Sequence, residues 1–323
     1  MPRSSRRSTS VSAGGGDVIT ADNVHMHFRR GLLGPKIHAL DGMSLEVREG
    51  DFFALVGQNG AGKSTAMYCF LGLLRPTSGK MEVMGRKPEL GSPLYASVAY
   101  LPEEPQYHLY LTVEEAIRYY ASLYGQRPGA KAIDDLLDRL GLGPFRKLRL
   151  AKCSKGMKQK VGIAQCLIRE TRLLFLDEPT RGLDPIIVRD FREILRELHR
   201  RGATIVMNSH VLSEVEMLAN RVAIIEKGKV IAQDDLQTLM TLNQEVYSVL
   251  VEAKGSLPAY LKVVDRQGDA VRGSIPAAQL FEFMDYVRQE GLRVLDCSLQ
   301  RASLEDSFVR ILKGEAANGK KGI

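Results

Sequence analysis

The 323-residue sequence has no tryptophan and only four cysteines, Cys69, Cys153, Cys166 and Cys297, with no C-x-x-C pair among them. Cysteines so scattered exclude a disulfide framework and a thiolate zinc site, and they suit a reducing compartment. No stretch approaches the ~18–20 consecutive apolar residues of a membrane-spanning helix. If the chain serves a membrane process, another chain supplies the bilayer part. The N-terminus lacks an apolar core of signal-peptide length. All six histidines lie at or before His210, which leaves the remainder without a metal-ligand set.

Acidic residues are fewer than basic ones, 38 against 45, giving a net charge of +7. That balance invites a nucleic-acid partner. The excess is mostly terminal, however. Arg3, Arg6 and Arg7 stand without an acid in residues 1–16, and Lys313, Lys320 and Lys321 face only Glu315 in 313–323. The middle is left near +2, and the nucleic-acid reading weakens. With 44% hydrophobic residues the chain can build a packed core, and its length allows two domains at ~100–200 residues each.

Residues 1–16, rich in Ser, Gly and Arg, read as a disordered basic tail, and 314–323 as a flexible one. From Val18 to about Asp235, short apolar runs alternate with helical patterns, as in an α/β sheet flanked by helices. Phe52–Val56, Leu173–Leu176 and Thr204–Met207 are apolar on both faces, as strands of a doubly covered sheet must be. The stretch 108–170 is mostly helical. One helix sets Ile133, Leu136, Leu137 and Leu140 on a face and stops near Gly141, and another follows Asp184-Pro185. The character shifts after about Leu242. Strands at Val246–Glu252, Ala270–Ile275 and Val294–Leu299 alternate with helices lined by Leu280, Phe281, Met284 and Val287, and by Leu304, Phe308 and Ile311. This is a small α+β unit, placed at 241–313.

The chemistry begins at Gly57-Gln58-Asn59-Gly60-Ala61-Gly62-Lys63-Ser64-Thr65, which matches G-x-x-x-x-G-K-[ST] between a strand and a helical pattern at Thr65–Leu74. Phosphates need several backbone N–H groups converging on one point, and glycine lets the chain curl that tightly. The helix N-terminus adds its positive dipole end. Lys63 would reach the β- and γ-phosphates, and the Ser64 hydroxyl would ligate Mg²⁺. Leu173–Leu176 runs into Asp177-Glu178, which offers one carboxylate to Mg²⁺ and a neighbour able to orient or deprotonate water.

From here the sequence resembles the nucleotide-binding subunit of an ABC transporter, over about Val18–Asp235. The family's Leu-Ser-Gly-Gly-Gln loop is present as Cys153-Ser154-Lys155-Gly156-Met157. Leu176–Thr180 resembles its Walker B strand, Gly182-Leu183-Asp184-Pro185 its D-loop, and Asn208-Ser209-His210 its switch histidine. The resemblance implies a P-loop ATPase domain of the ABC type at 17–240 with a helical subdomain at about 108–170. It implies Glu178 as general base, His210 as γ-phosphate sensor, and Ser154 and Gly156 as contacts to ATP bound by a second subunit, with Asp184 bridging that interface. One phosphate loop and one such loop per chain agree with a two-subunit assembly.

Three positions depart from the family pattern. Phe28 stands where a Tyr often stacks on adenine, and a ring face is all that stacking needs. Glu103, in Leu101-Pro102-Glu103-Glu104-Pro105, replaces the usual Gln; its carboxylate can approach Mg²⁺, but the amide donor is lost. Lys155 and Met157 replace Gly and Gln beside Ser154. Seven of the eleven tyrosines fall between Tyr95 and Tyr124, where the resemblance places the docking groove for the membrane subunit. Packing within the helical subdomain is the other reading of these residues.

The expectation is an ATP- and Mg²⁺-dependent ATPase subunit on the cytoplasmic face of a membrane, with a permease and a second ATPase subunit as partners. Glu103, the Lys155–Met157 variant and the appended α+β unit resemble the exporter branch whose six-helix permease is a separate chain. An importer ATPase with a regulatory extension is the alternative. ABC ATPases of DNA repair insert long coiled coils between the two loops, whereas Lys63 and Ser154 are 91 residues apart here without sustained heptads. Those of translation carry two cassettes per chain. No nucleic-acid partner is expected.

Overall fold

The computed structural model describes residues 16–29, 34–241, 246–253, 257–300 and 303–313. The expected tails, 1–15 of the first and all of 314–323, lie outside the described residues. In chain order, β1 (Asp17–Arg29), β2 (Lys36–Arg48) and β3 (Phe52–Val56) precede α1 (Lys63–Phe70), β4 (Ser78–Val83) and β5 (Val98–Leu101). Helices α2 (Val113–Leu123), α3 (Ala130–Arg139) and α4 (Lys155–Leu167) lead to β6 (Leu173–Asp177), α5 (Pro185–Arg200), β7 (Thr204–Ser209) and α6 (Leu212–Leu218). Then come β8 (Arg221–Glu226), β9 (Lys229–Asp235), α7 (Leu236–Thr241), β10 (Val246–Glu252), β11 (Lys262–Gln267), β12 (Ala270–Pro276), α8 (Leu280–Gln289), β13 (Arg293–Gln300) and α9 (Leu304–Leu312). The chain forms two compact units. The larger holds residues up to Val211 and Arg221–Gln233, and the smaller holds Leu212–Asn220 and the chain from Asp234 onward.

The larger unit contains a six-stranded sheet in the order β5-β6-β7-β3-β8-β9, whose first five strands run parallel. Every residue of β3, β6 and β7 is buried, which is why these strands read as unbroken apolar runs. Phe53, Leu55, Phe175, Val206 and Ile225 share one core with Met67 and Phe70 of α1 and with Val24, Leu40 and Met43. On the other face, Phe52 meets the His199 ring of α5 edge-on at 5.6 Å. The second wall of the α1 core is an antiparallel sheet, β2-β1-β4, that sequence reading did not separate out. Its two 13-residue strands slip register between Ala21 and Val24 and again around His25, so the period-2 alternation is broken.

Helix α1 starts at Lys63 and ends at Phe70, two residues earlier and four sooner than the pattern predicts. Gly72, at φ 65°, turns the chain, and the Leu73 and Leu74 N–H groups both donate to the Tyr68 carbonyl. In the helical stretch, Thr112 and Glu115 form a reciprocal capping box that starts α2. Below the sheet, the buried Arg221 donates to Asp51 at 2.9 Å, and the same carboxylate oxygen accepts from the Arg48 N–H at 2.8 Å. This clamps the entry of β3 to that of β8.

The smaller unit contains an antiparallel sheet ordered β11-β12-β10-β13. Its core gathers Val249, Val251, Val271, Ile275, Phe283 and Val287. Here one expectation is corrected: Phe281 is 82% exposed and Met284 is exposed as well, while Phe283 is buried. The inward stripe of α8 is Leu280, Phe283 and Val287, one step round the helix from the predicted one. The amphipathic α9 starts at a Ser303–Asp306 capping box, and its Leu304 N–H donates to Glu216 of α6 at 2.5 Å.

Candidate functional site

The site lies at the carboxyl ends of three adjacent parallel strands. Register places Val56 of β3 beside Ser209 of β7, and Asn208 of β7 beside Asp177 of β6. Chain leaving these ends cannot continue the sheet, so it projects its side chains and turns into one crevice. The phosphate loop, the carboxylate pair and the histidine come together because their strands are neighbours, although they are far apart in sequence.

The loop from Gly57 to Thr65 is shaped by two left-handed glycines, Gly60 at φ 81° and Gly62 at φ 110°. At Gly57 a Cβ would stand 2.4 Å from the Ile225 carbonyl oxygen, and at Gly62 it would stand 2.5 Å from that of Ala39. Gly57 therefore needs glycine for space, and Gly62 for both space and conformation. The Ala61 N–H donates to the Gln58 carbonyl, and the Asn59-Gly60 tip is exposed. A support that the sequence did not reveal is Gly228, in the turn between β8 and β9. Its N–H donates to the Ala61 carbonyl at 2.8 Å, and its own carbonyl accepts from the Asp41 N–H at 2.9 Å. A side chain at Gly228 would meet the Leu40 Cα at 2.7 Å.

Lys63 is buried, with its Nζ donating to the Gly57 and Gln58 carbonyls at 2.7 and 3.2 Å. The ammonium is thus held inside the loop it serves. Burial lowers its pKa from the ordinary lysine value, and the charges of Glu178 and Asp177 oppose that shift. Ser64 Oγ donates to Asp177 Oδ1 at 3.5 Å, and the fully buried Asn208 donates to the same oxygen at 3.2 Å. Burial is the first cause that raises the Asp177 carboxyl above its ordinary value. The Asn208 bond offsets it, and the charge of Glu103 adds to it. A hydroxyl and a carboxylate oxygen converging beside a phosphate loop are hard donors suited to Mg²⁺, which takes only one or two carboxylates and completes its shell with phosphates and water. Consistently, the described residues contain no cluster of three or more His, Cys, Asp or Glu that could cage a metal unaided.

Glu178 follows with a left-handed φ of 46° in a non-glycine residue, its N–H donating to the Asn208 carbonyl at 3.1 Å. Backbone in this region is strained, and such strain concentrates where geometry serves function. Glu178 Oε2 lies 2.7 Å from His210 Nδ1, so the ring donates there as Nδ1–H and leaves Nε2 free to face a ligand. The carboxylate is buried, whereas the histidine side chain is 40% exposed.

The other predicted residues take varied places. Ser154 caps α4, its Oγ accepting from the Met157 N–H at 3.2 Å. Gly156 faces Ile187 so closely that a Cβ would stand 2.7 Å from a methyl. Phe28, 40% exposed, lies near the end of β1 opposite Ile37. Neither Ser154, Gly156 nor Phe28 makes a hydrogen bond or ring contact with the phosphate loop among the described residues. Glu103 does not stand free: Arg181 donates to its Oε1 at 2.6 Å, and Gln159 of α4 donates to its carbonyl at 2.8 Å. The tyrosines divide between packed and exposed positions. The Tyr107 hydroxyl donates to the Lys158 carbonyl at 2.8 Å, and burial pushes its pKa up. Tyr110, Tyr119 and Tyr124 are exposed, with Tyr119 and Tyr110 flanking His108.

Residues 40–181 match the model of the ABC transporter family. The bacitracin transport ATP-binding protein BcrA of Bacillus licheniformis is 32% identical over 289 residues, spanning 85% of this chain and 93% of that protein. The chain belongs to the ATP-binding subunits of ABC transporters. A fluoroquinolones export ATP-binding protein of Mycobacterium tuberculosis is 37% identical over 219 residues, 67% of this chain and 71% of that one. A solved ATP-binding subunit of an ABC transporter, 30% identical, superposes with a TM-score of 0.61 over 69% of this chain and 92% of its own. As an ABC ATPase the chain binds and hydrolyses ATP, and the expected α/β P-loop cassette fold is the one observed. Arg181 and Gln159, which bond Glu103, and Gly228, which bonds Ala61, are contacts of the predicted site residues that sequence reading missed. The only signal for Arg181 was its place three residues after Glu178.

Proposed function

We propose that this ABC ATPase drives export through a separate membrane permease, working as one of two ATPase subunits on the cytoplasmic face. The observation that carries the chemistry is the 2.7 Å contact between Glu178 and His210, one residue beyond Asp177 and beside the strand that feeds the phosphate loop. In this reading, loop N–H groups and Lys63 hold the β- and γ-phosphates, and Phe28 stacks on adenine. Ser64 and Asp177, with Glu103 nearby, hold Mg²⁺, which when bound neutralises phosphate charge. Glu178 accepts a proton from water as the water oxygen bonds to the γ-phosphorus and the bond to ADP breaks. His210, fixed by Glu178, presents Nε2 to the γ-phosphate. Ser154 and Gly156 serve the nucleotide of the second subunit.

In domain terms, residues 17–240 are the ATPase, with 108–170 as its helical subdomain, and 241–313 are an accessory domain. The exposed Tyr110, Tyr119 and Tyr124 suit a docking face, because interface cores are enriched in tyrosine. The fluoroquinolones export relative supports export, and the bacitracin transport relative supports a transport role. No helix among the described residues is long and apolar enough to cross a membrane, so passage falls to another chain. The test is to purify the tagged chain from gently solubilised membranes. A stoichiometric multispanning permease is the expected companion. Recovery wholly in the soluble fraction on ribosomes or DNA would overturn the transporter role.

A further inference from the structure

Replacing a neutral glutamine by Glu103 adds a negative charge beside a site that must receive a triphosphate. A bare carboxylate there would oppose the binding of an anionic nucleotide. The structure supplies a counter-charge: the Arg181 guanidinium lies 2.6 Å from Glu103 Oε1. Arg181 is itself fixed to the catalytic turn, its N–H donating to the Glu178 carbonyl at 3.1 Å. The far side of Glu103 is tied to α4, the helix that Ser154 caps, through the Gln159 bond to its backbone carbonyl. Glu103 is therefore held at both ends, by the turn that follows Glu178 and by the helix that follows Ser154.

We propose that Arg181 is a positioning residue that neutralises Glu103, so that a carboxylate can occupy this position without repelling ATP. The inference rests on the ATPase reading of the site. The pair is half-exposed, with side chains 53% and 34% accessible. Such pairs add little to folding stability, so the effect of Arg181 falls on the local field. Arg181 also restrains the Glu103 carboxylate, which must leave it to reach a metal ion.

ATP affinity is measured calorimetrically on the full chain, in EDTA, for the wild type, Arg181→Met, Arg181→Lys, Glu103→Gln and the double variant Glu103→Gln/Arg181→Met. Arg181→Met should bind ATP about tenfold more weakly, as leaving the Glu103 charge unopposed implies. Arg181→Lys should recover most of that loss. The double variant should bind like Glu103→Gln alone, because the arginine has nothing left to neutralise. With Mg²⁺ present the deficit of Arg181→Met should shrink, since the freed carboxylate then faces a cation. Unchanged affinity in Arg181→Met overturns the proposal. So does a double variant as weak as Arg181→Met, because Arg181 would then be acting on the phosphates directly. A wild type that fails to bind ATP would instead overturn the ATPase reading.

Discussion

At the scale of single residues, the site concentrates groups that the folded chain would be more comfortable without. Asp177 is buried, and its carboxyl is raised above the ordinary 3.8. The native state therefore keeps its proton to higher pH than the unfolded chain. Stability falls as pH rises from 3.8 through the native value, and the whole loss is present at neutral pH. Asp177→Asn should accordingly stabilise the ligand-free protein at pH 7. A rise in Tm of roughly 1–2 °C, as about 1 kcal/mol gives in a protein of this size, is expected. The gap should close as pH is lowered toward 3.8, and Mg²⁺-dependent turnover should be lost. A Tm below the wild type at pH 7 would show that the carboxylate is stabilising instead. Lys63, Asp177 and Glu178 stood out in the sequence through the phosphate loop and a carboxylate pair at a strand end, and His210 through its resemblance to the family's switch histidine; the structure brings all four to one crevice. Arg181 and Gln159 did not stand out, because their partner Glu103 lies 78 and 56 residues away and only the fold brings it near.

At the scale of elements, the phosphate loop is held from outside as much as by its own sequence. Its two left-handed glycines differ in what surrounds them: a Cβ at Gly60 meets nothing within 4 Å, whereas one at Gly62 meets the Ala39 carbonyl oxygen at 2.5 Å. Gly60→Ala should cost about 1–2 kcal/mol, the backbone penalty alone. Gly62→Ala should cost more, because the clash with backbone adds to a penalty of roughly 1–3 kcal/mol for a strained φ. Urea unfolding of both variants checks this, and equal losses would contradict the packing described. The buried strands β3, β6 and β7 were readable from apolar runs bounded by glycine or acid. The β1–β2 pair was not, because its bulges shift the alternation and place His25, His27 and Asp41 along one face of solvent contact. On α8, periodicity found the helix but set the stripe one step off, since Phe281 and Phe283 are equally apolar and only packing against β12 distinguishes them.

At the scale of the whole molecule, the larger unit carries the phosphate loop, carboxylates and histidine, while Ser154, which caps α4, makes no hydrogen bond with them among the described residues. In the proposed two-subunit reading, the exposed Ser154 would serve the nucleotide of a second subunit, whereas Gly156 is buried against Ile187. The proposed mechanism turns on Glu178 as the proton acceptor for water. The most direct test is single-turnover hydrolysis of ATP by the wild type and Glu178→Gln, with ATP affinity measured on the same samples. The amide keeps the size of the side chain and can still accept from His210, but it cannot take a proton. Affinity within a few-fold of wild type and hydrolysis slowed at least about 100-fold are predicted. Hydrolysis by Glu178→Gln at the wild-type rate would contradict the assignment.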